Sequence, residues 1–528
     1  MPSSPSPPGQ PSPRAAALSG VAATGVALGV AELAAGLLDG TRSLVLAVGD
    51  AVIDAVPGWL ERAAIATLGT ADKPVLILGV LVVSALVGAA LGLLGRRRFV
   101  LAALGLSAFA ALGVAASLTD ARNTVWASVL VGVLGAGAGV AALGLLLRAA
   151  TPTPAEIAAH RAQGDEPAPT SSGFGRRSFL RLLAGAAVVA ATATVAGRWL
   201  TSAERVNELR AALRLPRPER SAPPVPPDAD LAIAGLTPLF IANDEFFRID
   251  TALTVPQVDP AGWSLQISGM VDRPYTLTYD DLLAMPQIEA DITLACVSNE
   301  VGGELVGNAR WQGVRLQDLL DRAGVQAGAD QVLGRSVDGF TAGFPTVTAL
   351  GVGDAMVAVG MNGEPLPAVH GFPARLVVPG LYGYVSATKW LSAIELTTFA
   401  DEAGYWIPRG WAREGPIKTQ SRIDVPRRSS PVTAGTQAIA GVAWAPTRGI
   451  ARVELSIDDG PWVEARLAAA LNLDTWRQWV YEWEAIPGRH TITVRASDGT
   501  GETQTDERTP VAPDGASGHH TIEVLVEA

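Results

Sequence analysis

Residues 15–150 constrain this chain more than any other stretch. They are dominated by Ala, Val, Leu and Gly. Runs at 15–38, 75–94, 99–117 and 125–147 reach the length at which a helix crosses hydrocarbon, about 20 residues. A fifth run covers 179–197. Helices of this kind satisfy their backbone internally and offer water no polar face, which predicts a transmembrane region. The segment 43–60 is shorter and interrupted by Asp50, Asp54 and Pro57, so it reads as interfacial. Glu32 sits inside the first run, where it would be costly against lipid. A proton or quinone role and a snorkelling or paired carboxylate near the outer interface are both open, the second being the simpler.

Basic residues set the expected orientation. Arg96, Arg97 and Arg98 separate the second and third runs, and Arg148, Arg161, Arg176 and Arg177 separate the fourth and fifth. The loop at 119–124 carries only Arg122, beside Asp120. The positive-inside tendency then makes the N-terminus and both Arg-rich loops cytoplasmic, and everything after about residue 198 extracytoplasmic. The stretch "GRRSFLRLLAGAAVVA" resembles a twin-arginine export signal, here internal and retained as an anchor. Ordinary positive-inside flanking is the alternative.

The five histidines are His160, His370, His490, His519 and His520, all outside the apolar runs, and no CxxCH occurs. We therefore expect no haem and a separate membrane or periplasmic electron carrier. The formal charge of −11 argues against nucleic acid as a partner.

The rest of the chain divides by composition. Residues 1–150 hold the four-helix region, and 151–200 a cytoplasmic loop with the export-like signal and fifth helix. Residues 201–235 are a Pro-rich linker, in which "RLPRPERSAPPVPPD" predicts an extended spacer. From 236 to 425, strand-like "WSLQISG" and "ARLVVPG" mix with helix-like "TYDDLLAM" and "VRLQDLLDRAG", the latter closed by Gly324. That is an α+β pattern with no phosphate-cradling GxxxxGK or GxGxxG. From 431 to 528, short alternating strands and a hairpin turn at Asp458–Asp459–Gly460 predict an immunoglobulin-like sandwich.

One cysteine occurs in 528 residues: Cys296, between apolar "DITLA" and Gly-rich "VSNEVGG". It cannot form an intramolecular disulfide. By residue type it reads first as a small buried hydrophobe, but a strand-to-loop exit favours presentation to a site, as nucleophile or soft metal ligand. Zinc would need more thiolates or clustered histidines.

The segments "NDEFFRID", "LACVSNE", "ARWQGVRLQDLL" and "VHGFPARLVVPGLYGYVSATKWL" resemble, in order and spacing, the molybdopterin domain of the sulfite oxidase family. The all-β tail resembles that family's immunoglobulin-like dimerisation domain. The resemblance covers about residues 236–528 and implies a homodimer, a small-molecule substrate and the molybdenum–molybdopterin cofactor. It further implies that Cys296 is the one protein ligand to molybdenum. By the same match His370, Arg375, Thr388 and Lys389 contact the cofactor, Asn243, Phe247 and Arg248 line it and the substrate mouth, and Thr341 adds a contact. Singly, His370 reads equally as a turn histidine, and Arg375 and Lys389 as surface ion-pair residues. Together, at family spacing, they argue for a site.

Departures from the family pattern bear on the substrate. Arg248 matches one substrate arginine and Arg448 another, from the tail, in a loop one residue shorter. Where a basic pair follows the family's cysteine, this chain has Glu300 and Val301. Losing a charged hydrogen bond there weakens anion binding by about 1–3 kcal/mol. The family's tyrosine beside the metal corresponds to Trp411, which offers no phenol. Trp406 and Trp411 either line the pocket or simply pack. The expectation is an enzyme, a membrane-anchored molybdenum oxidoreductase performing two-electron oxygen-atom transfer on a small, sulfur-containing substrate, with sulfite dehydrogenase and sulfoxide reductase both open. A non-catalytic membrane receptor or assembly protein retaining the fold is the rival.

Overall fold

A computed structural model describes residues 10–38, 41, 43–57, 60, 67–68, 71–119, 123–151, 173–200 and 203–528. Asp120, Arg122, His160 and Arg161 lie outside them, as do the side chains of Arg176 and Arg177. The chain forms two compact units, residues 1–204 with 252–254, and residues 205–251 with 255–528.

The first unit is helical: α1 (Pro13–Leu37), α2 (Leu44–Ala55), α3 (Asp72–Gly95), α4 (Phe99–Ser117), α5 (Val125–Ala150) and α6 (Gly173–Leu200). Helix α1 starts at Ser12, whose side chain accepts from the Ala15 N–H, with Pro13 at the first helical position. It lies at the centre of the bundle, packed by α3, α5 and α6. Small residues permit this. A Cβ on Gly20 would run into the backbone of Gly88 and Gly92 in α3, and one on Gly197 into Glu32. Outward side chains are the reverse, large and bare: Leu86 is 65% exposed and Val100 69%. By length and composition, five of these helices could cross a membrane, and α2 is a shorter apolar helix at the position expected for the interfacial segment. Glu32 is buried and accepts from the Ser43 hydroxyl, which also caps α2.

In the second unit, one sheet runs Ile288–Ala295, Val306–Arg315, Met356–Met361 and Glu364–Pro365, with Arg375–Val377 paired to Met356–Met361. A second orders Tyr275–Thr278, Ser264–Gly269, Leu391–Thr397, Gln331–Ser336 and Thr341–Pro345. Two short helices attach as the sequence predicts. Tyr279–Ala284 is opened by a capping box of Thr278 and Asp281, and Leu316–Ala323 is closed by Gly324 at φ 72.

The C-terminal β region consists of a four-stranded and a five-stranded sheet enclosing their own core. The turn at Asp458 and Asp459 has positive φ at both residues, as a type I′ turn requires, and Gly460 N–H closes it on Ile457 O at 2.9 Å. The segment "WVEARL" splits into Val463–Glu464 and Arg466–Leu467, one in each sheet. Trp444 and Trp476 leave the β region's own core and join that of the α+β domain, where the Trp476 indole donates to Leu239 O at 2.9 Å.

Two boundaries differ from expectation. The strand Gln420–Val425 pairs with Gly435–Trp444, so the β region begins near residue 420 and not 431. The Pro-rich segment is extended but is no free spacer. Arg220 forms a parallel bridge with Ile288, Glu289 N–H donates to Arg220 O, and Gln312 donates to Pro216 O. Proline cannot donate to a ladder, but its carbonyls accept, so the segment covers the edge of the first sheet.

Candidate active site

The strand Ile288–Ala295 delivers Cys296 to a tight loop. Cys296 N–H donates to Leu305 O (2.9 Å) and Asn299 N–H to Cys296 O (3.1 Å). The Asn299 side chain accepts from Leu305 N–H (2.8 Å), and Gly303 N–H donates to Glu300 O (2.8 Å). Ser298 N–H points at the sulfur at 3.4 Å. The thiol is buried; burial pushes its pKa up, while the Ser298 donors and the Lys389 charge pull against it. A soft cation is what would displace its proton.

Positive charge gathers behind the loop. Arg375 is buried; its guanidinium donates to His370 O (3.2 Å) and Leu376 O (3.4 Å) and lies over the Trp311 ring at 5.0 Å. Among the described residues it forms no ion pair, and burial lowers its pKa to about 9. Lys389 pairs with Asp250 at 3.0 Å, and burial nevertheless lowers it to about 8. Asp250 also accepts from Arg248 at 2.9 Å. Arg248 and Lys389 thus share one buried carboxylate, Asp250, and Arg375 adds a third cation with no acidic partner among the described residues. A buried guanidinium without a counter-ion is costly, so this cluster is built to receive an anion.

His370 sits among these charges. Its Nε2 meets Asn243 O at 2.7 Å, and a carbonyl partner requires Nε2 to carry the proton, leaving Nδ1 as an acceptor. Burial first, then Arg375, Lys389 and Arg248, lower its pKa to about 4, so the ring is neutral near pH 7. Phe246 packs edge-on to it at 5.6 Å and stacks on Phe247 at 5.1 Å. The Asn243 side chain is fixed by Asn362 and Met361 O.

Thr388 is fully buried, its carbonyl accepting from Leu376 N–H. Thr341 opens the strand Thr341–Pro345, and among the described residues no hydrogen bond ties it to the His370 cluster; its carbonyl accepts from Tyr405 N–H. Trp411 belongs to a row of rings, 6.2 Å from Trp406 and 5.8 Å from Tyr384. Arg448 pairs with buried Asp498 at 2.8 Å and donates to Ile417 O and Thr419 Oγ1. Tyr382, raised to about 12 by burial, feels both Cys296 and Arg448. Sequence reading missed Asp250, Trp311 and Tyr382 as members, although each lies within or beside a motif it quoted. Two cavities, of about 460 and 270 Å³, border the β region; neither has Cys296, His370 or Lys389 in its wall.

Comparisons with known proteins agree with this chemistry. The family described as oxidoreductase molybdopterin binding domain matches residues 252–406. Mitochondrial sulfite oxidase of Mus musculus is 29% identical over 328 residues, 52% of this chain and 59% of its own length. The chain therefore spans less than two thirds of that relative. The uncharacterized oxidoreductase YuiH of Bacillus subtilis is 37% identical over 157 residues, 30% of this chain and 76% of its own. The crystal structure of the sulfane dehydrogenase SoxCD from Paracoccus pantotrophus has a TM-score of 0.49 at 24% identity, covering 55% of this chain and 84% of that one.

Proposed function

This chain belongs to the sulfite oxidase family of molybdopterin oxidoreductases, and from that premise we propose a membrane-anchored, extracytoplasmic enzyme that transfers an oxygen atom and two electrons on a small sulfoxide. The carrying observation is the buried thiol of Cys296 beside cations that outnumber their one buried carboxylate, Asp250. These residues fit an anionic cofactor with a soft metal. When bound, the molybdenum cofactor supplies a centre that changes oxidation state by two electrons and exchanges oxygen. Cys296 would ligate the metal. Arg375 and Lys389 would face the anionic and polar groups, with Asn243, Phe247, Thr341, His370 and Thr388 completing the wall. Neutral His370 offers an acceptor at Nδ1 without adding charge.

The substrate reading rests on charge balance. Both arginines that would grip a sulfur oxyanion already have buried carboxylate partners, Asp250 for Arg248 and Asp498 for Arg448. Trp411 supplies no hydroxyl, and Glu300 adds negative charge to the cysteine loop. A neutral sulfoxide suits that balance better than sulfite. The bare apolar faces of α3 to α6 and the Arg-rich loops support the membrane assignment and its sidedness. The β region is read as immunoglobulin-like and as the surface of a homodimer, and electrons pass to a separate carrier.

The test is metal and pterin analysis of the purified chain, followed by assays with methionine sulfoxide and with sulfite using artificial one-electron carriers. We expect molybdenum and pterin near one per chain, reduction of the sulfoxide, and loss of turnover in Cys296→Ser. Folded protein free of molybdenum, or an active Cys296→Ser variant, overturns the enzyme assignment. Faster turnover of sulfite overturns the substrate.

A further inference from the structure

The cysteine loop is held from outside its own domain. Arg422, on the strand Gln420–Val425 of the β region, is buried, and its guanidinium is engaged on three sides. Nη1 donates to Gly303 O at 2.7 Å, Nη2 to Thr237 Oγ1 at 2.7 Å, and Nε pairs with Asp424 at 2.6 Å. Asp424 in turn accepts from Thr237 N–H at 3.2 Å. The next residue, Ile423, donates its N–H to His520 Nδ1 at 3.0 Å. The His520 ring lies against Gly302, which has φ 80 and where a Cβ would collide with that ring. One strand therefore grips two adjacent loop residues, one through a side chain and one through the histidine that its backbone orients.

We propose that Arg422 and His520 are positioning residues that hold the 296–305 loop, and with it the Cys296 sulfur, in place for the metal. The linkage runs through the loop's own bonds. Gly303 is tied to Glu300, and Asn299 is bonded both to Cys296 O and to Leu305 N–H. Release of Gly303 frees the turn that fixes Asn299, and Asn299 fixes the backbone of Cys296. The functional half of the inference rests on Cys296 being the metal ligand; the mechanical half does not.

The sole cysteine makes the test direct. A buried thiol is alkylated only through local opening, so its rate reports how firmly the loop is held. The full chain is prepared in a host unable to make the molybdenum cofactor and treated with iodoacetamide. Arg422→Ala should react at least about tenfold faster than wild type, the scale of losing a charged hydrogen bond, and Arg422→Lys should restore part of the protection. In the cofactor-loaded enzyme, Arg422→Ala should change the electron paramagnetic resonance signal of molybdenum and lower kcat more than it raises KM. A folded Arg422→Ala protein with wild-type alkylation rate and signal overturns the proposal. Should Arg422→Ala not fold, His520→Ala decides by the same alkylation rate, since it removes the ring without burying a new charge. Wild-type chain lacking molybdenum would sink the ligand assignment alone, while the alkylation rates would still judge the clamp.

Discussion

Arg375 carries the sharpest single-residue prediction, because its cost and its use point in opposite directions. Its guanidinium is buried without an acidic partner among the described residues. Arg375→Met keeps the stem over Trp311 and removes the charge, so the cofactor-free chain should melt no lower than wild type, and higher if desolvation dominates. The same variant should retain less molybdenum and pterin, by about tenfold in affinity for a lost charged hydrogen bond. Melting curves and metal content of one preparation check both. His370 adds a pH dependence. Its pKa is about 4 in the fold, held there by burial, against about 6.5 unfolded. Its contribution is therefore intact above about 6.5 and lost as pH falls through about 4. His370→Asn should flatten the acid limb of the melting temperature. His370, Arg375 and Lys389 were legible in the sequence because they fall in one dense segment. Asp250 was not. It reads as a local partner of Arg248, whereas its second partner, Lys389, lies 139 positions along the chain.

At the scale of elements, the long apolar helices, the capped short helices and the Asp458–Asp459 turn were legible, since each is dictated by local pattern. The strand Gln420–Val425 was not. The sequence reading placed it at the end of the 236–425 segment, yet it pairs into the β region, and its Arg422 and Asp424 are buried because they neutralise one another and grip the neighbouring domain. The hairpin at Asp458 yields its own prediction. Asp458 bonds His490 at 2.6 Å; the hydrogen bond raises the imidazole pKa. The Thr491 N–H and His490 hold the carboxylate below its usual value, against burial. The histidine's contribution is complete below about 6.5 and fades as pH rises through its raised value; the aspartate's is complete above about 3.9 and fades on acidification. Comparing His490→Asn with wild type, the loss in melting temperature should be largest between those limits and shrink at alkaline pH. A loss independent of pH would show that the pair is stabilised by shape and not by charge.

Across the whole molecule, the reading of Arg176 and Arg177 as an export signal makes the membrane assignment testable. Replacing both with Lys should leave the region after residue 200 on the cytoplasmic side, shielded from protease added to intact cells, whereas simple positive-inside flanking would let it through. The joins between segments were not readable from composition, because they depend on buried contacts between distant segments. Trp444 and Trp476 show what that implies. They belong by sequence to the β region and by packing to the core of its neighbour. The second unit should accordingly unfold in one calorimetric transition, and cofactor loading should raise that transition as a whole. A part that completes its neighbour's interior cannot be exchanged freely by recombination. The two halves are obliged to evolve as a single heritable piece, each limiting the substitutions the other can accept.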